Sequence, residues 1–311
     1  MPGVVVVSNP RSRQNRRNTG VVGQMSSMLG ARGRVAQPAS RADLLEEARR
    51  CREEAIDILA VNGGDGTLHV VLTAFVEAYG DEPLPPVAIL RGGTMNTIAG
   101  GLGIRGRPAD LLAALLAPSA PPIPFAERSI LRIEGGEKPE YGFLFGNGLL
   151  SNFLAEYYTS ADPSPLTAAW LLVRAIVSAT YGGALMKRLS APVQCTVEVD
   201  GVRWPAERYL AVTMGTVDDI GFGFRPFFEA LRQPGRMHAI GFACSAMGMV
   251  LALPRIRLAR PPDSPDIYSA VPERVVFTSA APMPFMVDGD FHPAGMSITV
   301  SVGPRIRFVV P

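Results

Sequence analysis

The ordered pattern of the chain opens on four consecutive β-branched residues, Val4 to Val7. A run that is apolar at every position marks a strand covered on both faces, as in a parallel sheet. Helical spacing of apolar residues follows from about Asn15 to Leu29, and Ser40 stands as the cap of a helix rich in Ala, Leu, Glu and Arg that reaches about Glu54. Ile56 to Val61 reads as a second buried strand, Thr67 to Tyr79 as a helix, Val87 to Leu90 as a third strand, and a further helix starts near Thr94. Strands separated by helices of this length need right-handed crossovers. Residues 1–122 therefore predict a Rossmann-like α/β domain with helices on both faces of a parallel sheet.

Pro118-Ser119-Ala120-Pro121-Pro122 cannot continue a helix, and beyond it the pattern changes to hairpins. Ser129 to Ile133 and Tyr141 to Phe145 flank Gly135-Gly136, and Val193 to Val199 meets Val202 to Trp204 across Asp200-Gly201, a two-residue hairpin signal. Glu207 to Met214, Arg274 to Thr278, Phe285 to Val287, Ser297 to Val302 and Arg305 to Val310 add strands. Residues 123–311 thus predict a mainly antiparallel β-sandwich or open barrel with helical insertions at about 151–189 and 241–254.

Composition narrows the chemistry. A length of 311 residues suits two cores, and 47% hydrophobic with 19% charged residues suits a globular chain. The net charge of +2 is too small to hold a nucleic-acid backbone along a broad face. Lysine occurs only at Lys138 and Lys187, so the Gly-Lys-Ser/Thr phosphate loop is absent. His69, His238 and His292 are too scattered for a zinc-hydrolase pair, and Cys51, Cys195 and Cys244 sit in apolar runs as buried thiols, pointing to the cytoplasm. The start of the chain shows no export signal, and neither apolar stretch, Leu166 to Met186 nor Ile240 to Leu253, makes an uninterrupted span.

Three loops carry candidate chemistry. Asp57 to Val61 leads into Asn62-Gly63-Gly64-Asp65-Gly66-Thr67 at a strand-to-helix junction. Glycines there let backbone N–H groups approach a phosphate, and the helix N-terminus adds partial positive charge. Asp65 inside an anion site needs a Mg²⁺ ion, a proton or the loop's own amides to justify it. A second glycine loop, Arg91-Gly92-Gly93-Thr94, leads to Asn96, which offers a donor and an acceptor to a base or sugar. The first strand ends in Ser8-Asn9-Pro10-Arg11-Ser12-Arg13, a third polar loop at the carboxyl end of the same sheet, where α/β folds bind ligands.

In this order and spacing the Asn-Pro loop, the Gly-Gly-Asp-Gly-Thr string and the Gly-Thr-x-Asn start resemble the lipid kinase family of bacterial diacylglycerol kinases and sphingosine kinases. Asp288-Gly289-Asp290 extends the resemblance to the C-terminal region, where the family usually has Asp-Gly-Glu. The resemblance implies an α/β nucleotide domain followed by a β-sandwich lipid domain, with ATP and Mg²⁺ used to phosphorylate a lipid hydroxyl, diacylglycerol first among candidates. It places Asn9, Pro10, Arg11, Ser12, Arg13, Gly63, Gly64, Asp65, Gly66, Thr67, Gly93, Thr94 and Asn96 at the nucleotide. It makes Asp290 the general base, with Asp288 and Asp65 beside it in the catalytic set. Arg13, Arg91, Thr97 and Asp290 depart from the family pattern, and Gln233-Pro234-Gly235 stands where some members bind a structural Mg²⁺, which is not expected here.

The helical wheel of Leu166 to Met186 confines Thr167, Arg174, Ser178 and Tyr181 to one polar stripe, and basic residues follow both apolar stretches. Docking on an anionic membrane and burial within the protein both account for that pattern. The expected partners are a lipid substrate and the inner face of the membrane, held peripherally, and no nucleic acid; oligomeric state, a homodimer included, stays open. Two other readings compete: a kinase for a soluble substrate such as NAD, and a catalytically weak nucleotide- or lipid-binding module.

Overall fold

The computed structural model describes residues 3–10, 12, 15, 20–117, 124–159, 164–221, 223–292 and 295–310. Arg11 and Arg13 of the first loop, Arg16 and Arg17 after it, and the whole proline-rich segment, 118–122, lie outside the described residues. The chain divides into two units, residues 1–128 with 305–311, and residues 129–304. The division falls a few residues beyond the expected boundary. The last seven residues, expected in the second domain, belong to the first because Phe308 and Val309 pair with Val87 and Ala88.

The first unit alternates strand and helix: β1 (Val4–Ser8), α1 (Val21–Leu29), β2 (Gly33–Ala36), α2 (Arg41–Glu53), β3 (Ile58–Asn62), α3 (Asp65–Tyr79), β4 (Val87–Ile89), α4 (Thr97–Gly101) and α5 (Pro108–Leu116). Its sheet is parallel, in the order β2, β1, β3, β4 and then the C-terminal strand. Every residue of β1 is buried, as its unbroken valine run requires. Ser40 caps α2 through a reciprocal pair with Asp43: its hydroxyl accepts from the Asp43 N–H at 3.1 Å, and the Asp43 carboxylate accepts from the Ser40 N–H at 3.0 Å. The register that sets Ser8 beside Asn62 puts polar side chains at the carboxyl ends of β1 and β3, where the loops begin.

The second unit contains β5 (Phe125–Glu134, entering from the first), β6 (Glu140–Gly142), β7 (Leu144–Gly146), α6 (Leu149–Tyr158), α7 (Pro165–Thr180) and α8 (Ala184–Leu189). Short strands follow: β8 (Val193–Gln194), β9 (Thr196–Val199), β10 (Val202–Arg203), β11 (Arg208–Tyr209), β12 (Ala211–Gly215) and β13 (His238–Phe242). The unit ends with α9 (Ala246–Arg257), β14 (Ile267–Ala270), β15 (Arg274–Thr278), β16 (Phe285–Val287), β17 (Asp290–His292) and β18 (Ser297–Val309). One antiparallel sheet runs β14, β13, β12, β7, β16, β17. It packs against the β9, β15 and β18 layer through Phe145, Phe277, Phe285, Val212, Val275 and Ile298, with the rings of Phe277 and Phe285 centred 5.3 and 5.5 Å from that of Phe145. The expected sandwich is thus formed.

Several elements differ from their sequence reading. The stretch from 241 does not begin as a helix, because His238–Phe242 is a strand buried along its whole length between β12 and β14. A continuous apolar run has no period that separates strand from helix. Helix α9 starts only after Ser245, whose hydroxyl accepts from the Gly248 N–H. The two C-terminal strands are one, running through Gly303-Pro304, and Val193 to Val199 is broken at Cys195 so that its first part pairs with β11. The Asp200-Gly201 turn has φ of 45° and 83°, as a two-residue hairpin requires.

His238 is fully buried in β13, with its Nδ1 accepting from the Glu229 N–H at 3.3 Å, its Nε2 2.9 Å from the Ser269 hydroxyl, and the Phe228 ring edge-on. Burial pushes the imidazole down from 6.5 to about 4. The unfolded chain therefore takes up a proton below pH 6.5 that the fold refuses until about pH 4. We expect stability to fall across that window by on the order of 3 kcal/mol from this group. Urea unfolding between pH 7 and pH 4 checks this, with His238→Asn expected to show the flatter profile.

Candidate active site

The three loops at the carboxyl ends of β1, β3 and β4 interlock through side chains. Asn9 donates its Nδ2 hydrogen to the Thr67 hydroxyl at 3.0 Å, and its backbone N–H donates to the Asn62 carbonyl at 3.1 Å. Ser12 donates its hydroxyl to the Gly92 carbonyl at 3.0 Å, so the first loop holds both of the others. Pro10 is exposed at the turn between them. Beneath the loops, Asn15 donates to the carbonyls of Asn9 and Asn62 at 2.8 and 3.2 Å, and Asn62 donates to the Ser8 hydroxyl at 2.9 Å. These buried supports lay outside the expected site; Asn62 borders the glycine string, but no spacing marks Ser8 or Asn15 as its partners.

Close backbone approach explains the glycines. A Cβ on Gly93 would fall 2.1 Å from the Gly64 Cα, and one on Gly63 would fall 2.3 Å from the Thr67 Cβ. A side chain on Gly93 would force the second and third loops apart, and one on Gly63 would displace Thr67 within the second. Helix α3 begins at Asp65, two residues earlier than its expected start, and helix geometry leaves the N–H groups of Gly66 and Thr67 without intrahelical acceptors. That is an amide-lined, electropositive mouth.

Asp65 does not face that mouth alone. Its carboxylate accepts the N–H of Thr97 at 2.9 Å and that of Ile98 at 3.2 Å, and so caps α4 from another loop. Burial pushes its pKa up, while the Thr97 and Ile98 amides and the Thr97 hydroxyl pull it down. Thr97 supplies a donor in a place where a second carboxylate would repel Asp65. With both oxygens accepting amides, Asp65 suits a Mg²⁺ ion that keeps its waters better than one bound directly.

The third loop departs from its expectation. Helix α4 starts at Thr97 and not at Thr94, which is exposed. Asn96 was expected to offer its amide to a base or sugar. Instead its Oδ1 accepts from the Gly93 N–H at 3.1 Å and its Nδ2 donates to the Gly93 carbonyl at 2.9 Å, in a left-handed residue at φ 50°. Both polar ends shape the loop, so Asn96 is a positioning residue. Arg91 also lies at φ 56°, which a proline, fixed near −65°, cannot adopt. A proline at this position would therefore require a different local backbone.

In the second unit Asp288 and Gly289 form the two-residue turn between β16 and β17, at φ 48° and 94°, with Val287 opposite Asp290. The Asp288 carboxylate accepts from the Phe143 N–H at 3.0 Å and from the Leu144 N–H at 2.8 Å, while the Asp288 N–H donates to the Leu144 carbonyl at 3.0 Å. Asp288 was placed in the catalytic set. Its carboxylate is committed to two amides, and it fixes the hairpin that presents Asp290. Asp290 is half-buried on an edge strand. Tyr158, at the end of α6, packs edge-on against Phe291 at 6.2 Å, and burial, with the Asp290 charge adding to it, pushes its pKa up. It was missed, because nothing in the local sequence links it to a residue so distant in the chain.

Asp288→Asn keeps the left-handed conformation, which Asn tolerates, but sets an amide donor against backbone donors. We expect a loss of about 1–3 kcal/mol in urea unfolding, with an unchanged denaturant slope.

Comparison with known proteins bears on what these loops do. Residues 3–126 match the diacylglycerol kinase catalytic domain. A curated relative, the probable lipid kinase YegS-like of Klebsiella pneumoniae (strain 342), is 28% identical over 236 residues, or 76% of this chain and 71% of the relative. Two solved structures from Bacillus anthracis str. Sterne, a diacylglycerol kinase and a putative diacylglycerol kinase, share the fold with TM-scores of 0.66 and 0.70 at 13% and 14% identity, each covering 99% of this chain and 97% of theirs. The matched residues contain all three interlocked loops, and through them the chain is similar to the diacylglycerol kinase-like lipid kinases, phosphotransferases with an alcohol group as acceptor.

Proposed function

We propose that the protein transfers the γ-phosphoryl group of ATP, taken as its Mg²⁺ complex, to a hydroxyl of a membrane lipid, with diacylglycerol as the leading acceptor. The observation that carries this reading is the amide-lined mouth at the start of α3, held open by the Gly64–Gly93 approach and by Asp65 across the loops. Phosphoryl transfer demands little covalent chemistry from a protein, so positioning and charge neutralisation supply most of the rate. In this reading the first-turn amides of α3 bind phosphate oxygens, and Asn9, Ser12 and Thr67 fix the loop shape. Bound Mg²⁺ neutralises phosphate charge, in keeping with the scarcity of lysine in the chain. Asp290 accepts the proton of the attacking hydroxyl, held in place by the Asp288-Gly289 turn.

The test is transfer from labelled ATP with Mg²⁺ to dispersed short-chain diacylglycerol, monoacylglycerol, sphingosine and ceramide, with NAD as the soluble control. We expect a labelled lipid, diacylglycerol most strongly. Asp290→Asn is expected to lower kcat by about 10²–10⁴ with little change in KM for ATP, and Asp290→Glu to keep part of the rate. Asp65→Ala is expected to weaken ATP binding and lower thermal stability together, because it uncaps α4. Label in NAD and in no lipid would replace this reading with the soluble-substrate one.

A further inference from the structure

The helices of the second unit carry a surface whose polarity is inverted. On α7, Leu166, Trp170, Val173 and Val177 point outward, with Tyr181 just past its end, and the first two are 82% and 63% exposed. The steps of four, three and four residues align them as one stripe. Ser178, on the polar stripe, is buried, and its hydroxyl accepts from the Met186 N–H at 3.0 Å. Helix α9 packs against α7 and repeats the arrangement with Met247, Leu251 and Leu258, of which Leu251 is 71% exposed. Two adjacent helices thus show large apolar side chains to water, well beyond the scattered single residues normal on a surface.

Charge selects what covers this face. Residues 164–196 and 243–262 contain Arg174, Lys187, Arg188, Arg255, Arg257 and Arg260, all exposed, and no Asp or Glu. Arg188 and Arg255 have acidic neighbours from elsewhere, Glu156 at 3.1 Å and Asp263 at 3.8 Å, and Arg257 lies over the Phe224 ring at 5.6 Å. A second copy of this chain on the same face would bring its six cations against these six, which is repulsive. An anionic bilayer offers hydrocarbon to the apolar stripe, an interfacial layer to Trp170 and Tyr181, and negative headgroups to the cations. Among the described residues no helix is long and apolar enough to cross a membrane, so contact of this kind lies along the surface.

We propose that the α7–α9 face docks the protein on an anionic membrane surface, with Trp170 and Leu251 entering the headgroup region. The purpose of the contact rests on the lipid kinase reading, but the contact itself needs neither ATP nor turnover.

The chain has two tryptophans, and Trp204 is buried, so fluorescence can follow Trp170 directly. The full chain is mixed with vesicles of phosphatidylcholine alone or with 30% phosphatidylglycerol, and both flotation and emission are read. Expected are co-flotation with the anionic vesicles, a blue shift in emission, and quenching by brominated lipid. Trp170→Ser with Leu251→Ser, and separately Arg174→Gln with Lys187→Gln and Arg260→Gln, should each weaken vesicle binding by about tenfold or more, with the thermal midpoint held. Absence of flotation and blue shift in the wild type overturns the proposal. So does a stable dimer in sedimentation that Trp170→Ser dissolves. Binding to vesicles without label in any dispersed lipid would leave the docking intact and remove the kinase reading; label without vesicle binding would do the reverse.

Discussion

The Asp65 carboxylate is the constraint on which the arrangement of the first unit depends. It sits at the first position of one helix and closes the amino end of another, so one side chain sets the distance between two loops that follow different strands. A carboxylate drawn out of water costs free energy unless donors surround it, and here the Thr97 and Ile98 amides supply that compensation. The loops cannot separate without exposing those amides and stranding that charge. The same interaction that sets the spacing of the two loops therefore also keeps the Asp65 carboxylate fixed between them, turned toward protein donors.

The second unit uses the same chemistry at a different place. Asp288 in a left-handed turn accepts from two consecutive amides of the chain entering β7, which ties the β16–β17 hairpin to the centre of its sheet. Gly142 is required there, since a Cβ would lie 2.6 Å from an Asp288 oxygen. In both units, then, the carboxylates most visible in the sequence are bound to backbone, and Asp290 is the carboxylate left at an edge with a half-exposed aromatic neighbour, Tyr158.

Much of the fold was legible because its signals are local. The valine run of β1, the Ser40 cap and the Asp200-Gly201 turn each announce their structure within a few residues. The glycine strings located the loops, but the roles inside them depend on partners far away in sequence. Asn96 reads as a ligand-facing amide until the Gly93 backbone is seen to take both its ends, and Asp65 reads as a phosphate-site acid until α4 is placed against it. His238–Phe242 was hidden for a different reason: a strand with both faces covered has no alternation to read. On α7 the wheel left open whether the apolar faces meet protein or lipid, because periodicity gives the faces of a helix and not which one meets the core; the structure exposes Leu166, Trp170, Val173 and Val177.

The pairing of Phe308 and Val309 beside β4 has a consequence for how the molecule is made. The first unit is discontinuous in sequence, with residues 129–304 intervening between β4 and the strand that completes its sheet. During synthesis its β4 edge stays open while the whole second unit emerges and folds. An uncovered strand of buried valine and isoleucine is a template for wrong pairing in that interval. The sheet of the first unit is thus completed only when Phe308 and Val309 arrive, and a chain cut before them would leave that side of β4 without its parallel partner.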